Sequence, residues 1–121
     1  MKKSPLNLYI LEGREVIPAK DLFEWADFFE DHKHRVIRQT TVKLFNRNYC
    51  DVSTVFLGID HSFMKDGPPL VFETMVFGGD FDGHQVRAYT YTGAEECHSF
   101  MGMIDEGTID MNHFEEKRSF N

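Results

Sequence analysis

The sequence predicts an α+β domain: an antiparallel sheet of about five to six strands with two helices packed on one face, in the order ββαββββα. Two central stretches, 51 to 59 and 70 to 77, are rich in β-branched and aromatic residues and bounded by turn formers. Two other stretches, opened by Asp21 and Thr92, combine a capping residue with an acidic residue three positions on and an apolar 3.6-residue period. The connections are short, which suits hairpins and leaves little room for parallel crossovers.

Taken in order, Leu8 to Leu11, Gly13, then Val16 and Ile17 read as a small hairpin closed by Pro18. In the helix expected over 21–33, Leu22, Trp25, Ala26 and Phe29 recur at the spacing of one buried face. Phe23 and Phe28 fall to either side of that stripe, so the apolar surface is wider than one sheet face needs, which suggests a subunit or ligand contact. Arg35 to Phe45 reads as a strand turning at Asn46 to Asn48. The strands at 51–59 and 70–77 are apolar on both parities, which predicts cover on both faces, the second supplied by another subunit. Gly67, Pro68 and Pro69 make the link from Asp60 a rigid loop. If the two strands pair evenly across it, Ile59 lies near Leu70 and Phe56 near Glu73. Gly78 to Gly83 mark a turn, Val86 to Tyr91 a strand, and Ala94, Cys97, Met101 and Ile104 the apolar face of a second helix ending near Gly107. Residues 1–107 thus form a single α+β domain, and 108–121, which lack periodicity, a loosely docked tail.

The chain's 121 residues are the size of one domain. Twelve Phe and four Tyr help bring the aromatic content to 14%, more than so small a core easily hides. A formal charge of −7 argues against non-specific nucleic-acid binding. Between Asp31 and Asp51, however, no acid occurs, while Lys33, Arg35, Arg38, Lys43 and Arg47 supply positive charge. That segment is either a solvated surface or an anion site. Cys50 and Cys97 have the spacing of neither a disulfide framework nor a metal knuckle. No apolar run suits a secretory leader or a membrane span, so a cytoplasmic protein that does not engage membranes is expected.

At 52 to 78 the string Val-Ser-Thr-Val-Phe-Leu-Gly-Ile-Asp-His, a loop ending Gly-Pro-Pro, and Phe-Glu-Thr-Met-Val-Phe-Gly resemble a widespread set of small uncharacterised proteins encoded by tailed phages and prophages. The likeness reaches Trp25 and Tyr-Thr-Tyr-Thr-Gly-Ala-Glu-Glu at 89 to 96, about two thirds of the chain. It implies a phage accessory protein acting in the host cytoplasm by binding, either as a homo-oligomer that captures a nucleotide immune signal or by blocking a host protein. It brings no assigned catalytic residues.

Among local constellations, Asp60 and His61 end one central strand and Glu73 lies inside the next. Glu73 in an apolar strand needs a partner or a polar cavity, as a pocket acid or ligand acceptor, or as the structural partner of an Arg or Thr. His61 could serve acid–base chemistry with it, although neighbours on a strand point to opposite faces, and Asp60 could simply cap the loop. His32, His34, His61, His84 and His98 lack the repeated spacing of a zinc site, so no metal and no cofactor are expected. Gly78-Gly79 lacks the Lys of a phosphate loop, and no serine sits in a nucleophile elbow. An anion site would draw on Arg35, Arg38, Lys43, Arg47 and Arg87, with Phe63 or Tyr89 to stack on a base. The residues selected are Arg35, Arg38, Asp60, His61, Phe63, Glu73, Arg87 and Tyr89, in a non-enzymatic binding protein for a small anionic ligand or a host protein, with a small hydrolase using His61 and Glu73 as the alternative.

Overall fold

A computed structural model describes residues 3–43, 49–62 and 66–105. Arg47, Phe63 and the expected tail at 108–121 lie outside the described residues, as does the side chain of Ile104. The chain is α+β, with six strands in two antiparallel sheets and three helices among the described residues.

Strands β1 (Tyr9–Glu12) and β2 (Glu15–Pro18) form a two-stranded ribbon whose turn is Gly13-Arg14, with Gly13 at φ 62°. The ribbon is a sheet of its own, rather than part of the main one. It joins the end of the main sheet through a Leu8–Ile59 bridge and the Tyr9 N–H, which donates to Gly58 O at 2.8 Å.

Helix α1 (Leu22–Glu30) begins where expected. Asp21 accepts from Glu24 N at 2.8 Å, and Glu24 Oε1 reaches back to Lys20 N at 3.0 Å. It stops at Glu30 instead of continuing to 33, because Asp31 leaves helical geometry and caps a separate turn, α2 (His32–Arg35), by accepting from Lys33 N at 3.0 Å. The inward face also differs from the expected stripe. Leu22 and Ala26 are exposed, and Trp25, Phe28 and Phe29 turn inward. The reason is local: a short helix sits over one corner of the sheet, where Phe28 and Phe29 meet Phe56 and Trp25 Nε1 donates to Gly58 O at 3.1 Å.

The main sheet is a meander of β3 (Val36–Lys43), β4 (Tyr49–Phe56), β5 (Phe72–Phe77) and β6 (Gln85–Ala88). Val55, not Phe56, stands opposite Glu73, and Phe56 faces Phe72. This one-residue difference from even pairing decides which side chains share a face. It aligns Val52, Thr54, Phe56, Phe72, Thr74 and Val76 on one buried face and leaves Ser53, Val55, Glu73 and Met75 on the other. Strand β4 ends three residues early because Gly58, at φ 74°, bends the chain toward the ribbon.

Helix α3 (Tyr91–Asp105) lies across all four strands on the buried face. Its cap is Thr90, whose Oγ1 accepts from Gly93 N at 3.0 Å, two residues before the expected Thr92, so β6 stops at Ala88 rather than Tyr91. Ala94, Cys97 and Met101 point into the core as expected. Tyr9 and Val16 from the ribbon complete the same core. No described helix is long and apolar enough to cross a membrane.

Candidate functional site

A concave feature lies where the ribbon, α1, α2, the start of β3 and the first turn of α3 converge. It is a cleft of about 400 Å³. Leu11 and Gly13 contribute from the ribbon, Phe28 from α1, Lys33 and His34 from α2, Val36 and Ile37 from β3, and Tyr91 from α3. Phe28 and His34 stack with their rings 5.6 Å apart and 17° from parallel. His34 Nδ1 also lies 3.5 Å from Asp31 Oδ2. Arg14 places its guanidinium 4.9 Å from the centre of the Tyr91 ring. Arg14 and Arg38 share one carboxylate, Glu95, at 3.4 and 3.2 Å. Basic groups therefore surround an aromatic-walled cleft, a combination able to stack a flat ring and pair with an anion.

The residues selected from sequence are dispersed. Arg38 is not in the cleft's lining and is linked to it only through Glu95, the carboxylate it shares with Arg14. Arg35 lies 5.0 Å above the Phe29 ring and shares a hydrogen bond of 3.2 Å with His32. Its Nε is the one buried side-chain polar atom without a partner among the described residues. Glu73 and Arg87 form an ion pair of 3.1 Å on the opposite face of the sheet. Asp60 is a structural staple: Lys3 Nζ donates to it at 2.7 Å, and the N–H groups of Ser62 and Leu70 donate at 2.8 and 2.9 Å. Burial alone pushes the Asp60 carboxyl up, but the Lys3 and backbone donors outweigh it and hold the group at about 2. The His61 N–H donates to Leu70 O, which fixes the loop's base. Tyr89 is half-buried in the link between β6 and α3. Among the described residues no contact joins His61 to Glu73, and Phe63 lies outside them.

Sequence reasoning missed a second polar constellation. His98, 3% exposed, has Nδ1 2.7 Å from Thr54 Oγ1 and Nε2 2.8 Å from Thr40 Oγ1, and Thr54 lies 2.6 Å from Thr74 Oγ1. Burial, helped by the nearby Arg38 charge, lowers His98 to about 4. The signal was present: His98 follows Cys97 on the helix's inward side, and Thr40, Thr54 and Thr74 fall on one face in the observed register. Cys50 and Cys97 are both buried, and burial followed by the Glu96 charge pushes the Cys97 thiol up to about 12, which suppresses the reactive thiolate. Among the described residues no group of three His, Cys, Asp or Glu could hold a metal ion.

Comparisons with protein families, curated proteins and solved structures return no match to this chain.

Proposed function

We propose that the protein is a phage- or prophage-encoded binding protein that captures a small anionic ligand with a flat ring, such as a nucleotide immune signal, in the cleft between α1, α2 and α3. The observation carrying this reading is the pairing of two aromatic walls, Phe28 and Tyr91, with Lys33 and His34 in a cleft of about 400 Å³, within the size range of small-molecule sites. The protein as a whole is acidic, so cations gathered at one concavity are set against its net charge of −7.

A homo-oligomer is part of the proposal. The outer face of the main sheet carries Tyr49 and Phe77 at one end, 61% and 51% exposed, with the partly exposed Met75 and Val55 farther along the same face. Such a surface gains from a covering partner.

A second reading, docking to a host protein, is favoured by α1, where Phe23 is 80% and Leu22 58% exposed beside Asp27 and Glu30. Calorimetric titration with cyclic AMP, ADP-ribose and cyclic dinucleotides tests the first reading. Saturable heat that disappears on Lys33→Glu supports it, and no heat from a folded sample with any of them overturns it.

A further inference from the structure

Glu95 lies one helical turn beyond Tyr91 on α3, so it and the aromatic wall of the cleft share a side of that helix. Its two carboxylate oxygens are held by arginines from different elements. Arg14, in the ribbon's turn, reaches Oε1 at 3.4 Å, and Arg38, on β3, reaches Oε2 at 3.2 Å. Among the described residues no other ion pair engages either guanidinium, so two positive charges share one negative charge. The Arg14 guanidinium also lies over Tyr91 at 4.9 Å, which makes the arginine pair continuous with the cleft.

A carboxylate gripped by two convergent guanidinia presents the chemistry of a bound phosphate: oxygen acceptors facing planar donor forks. We infer that Glu95 is an internal competitor, occupying the place in which Arg14 and Arg38 hold the phosphate of a ligand whose ring lies between Phe28 and Tyr91. This rests on the reading of the cleft as a nucleotide site. A phosphate brings up to two negative charges to the arginines and displaces a side chain that brings one. Glu95 thereby lowers affinity for ligands whose phosphate must displace it, most for those carrying a single charge, while a neutral nucleoside, which does not engage the arginines, is unaffected.

The test is calorimetric titration of AMP and adenosine into the wild type, Glu95→Gln, and Glu95→Gln combined with Arg38→Ala, each checked for cooperative thermal unfolding. Glu95→Gln is expected to bind AMP about tenfold more tightly and adenosine unchanged, with the gain lost when Arg38 is also removed. AMP binding by the wild type with equal or weaker binding by Glu95→Gln overturns the competitor role and leaves the cleft reading standing. No AMP binding by either protein overturns both.

Discussion

The hydroxyl of Thr54 lies 2.7 Å from Nδ1 of His98, and the proton between them comes from the threonine. Thr74 decides this. Its buried hydroxyl has Thr54 Oγ1 as its partner, so Thr74 donates to Thr54, and Thr54 passes its own proton to Nδ1. The imidazole then carries its hydrogen on Nε2 and donates to Thr40, which is exposed and can donate to water. Every donor in the chain is satisfied in this order. In the other tautomer Nδ1–H donates to Thr54, and one threonine proton, on Thr54 or Thr74, is left without an acceptor. The arrangement ties α3 to β3, β4 and β5 at one point, and it makes Thr40 an acceptor rather than an activated nucleophile.

The first prediction concerns that chain. Thr54→Val removes its middle link and strands Nδ1 and the Thr74 hydroxyl in the core, at a cost of about 2–4 kcal/mol read from urea unfolding near neutral pH. Long-range nitrogen–proton NMR of the wild type should show His98 protonated at Nε2 and bare at Nδ1. A proton on Nδ1 contradicts the assignment.

The pH dependence follows from the same residue. His98 titrates at about 4 in the fold against 6.5 unfolded. Between those values the unfolded chain holds the extra proton, so stability rises with pH across that window. The contribution is fully present above 6.5, and roughly 3 kcal/mol is lost by pH 4. Unfolding measured from pH 7 to pH 4 should show this slope, and His98→Gln should flatten it.

Asp60 governs a lower window. Its carboxyl is held at about 2 against 3.8 unfolded, so its stabilisation is present above 3.8 and lost as pH falls toward 2. Asp60→Asn leaves Lys3, 19% exposed, without its carboxylate, and is expected to cost about 2–3 kcal/mol near neutral pH while flattening the stability profile below pH 4.

Gly58 is the point where the ribbon, α1 and β4 meet. A Cβ there would run into the Phe29 ring and come within 2.9 Å of Trp25 Nε1, at a φ of 74°. Gly58→Ala should therefore cost about 3 kcal/mol or more, whereas Gly13→Ala, at φ 62° with open space around it, should cost about 1 kcal/mol. Equal costs in urea unfolding would show that backbone conformation, not the crowding by Phe29 and Trp25, fixes glycine at 58.

These residues mark how far the sequence was readable. The α+β class and the element order followed from local signals, namely Asp21 as a cap, the β-branched strands and the glycine-rich turns. The one-residue register between β4 and β5 did not, because the loop at 60–69 is long enough to permit either pairing and only the tertiary fit of Phe56 against Phe72 and Phe28 selects one. The candidate site was legible as chemistry and not as place. The basic segment after Asp31 was visible, and two of its residues, Lys33 and His34, do line the cleft, while Arg38 pairs with Glu95 beside Arg14. Its partners Arg14, Glu95 and Tyr91 come from 24 to 57 residues away in the chain, across contacts that no local pattern encodes.

The most direct test of the cleft as a binding site is an amide NMR titration with ADP-ribose. Shifts should concentrate at Gly13, Lys33, His34, Ile37 and Tyr91, the lining of the cleft, and vanish in Lys33→Glu. Shifts confined to the outer sheet face, at Ser53, Val55, Glu73 and Met75, would contradict the account.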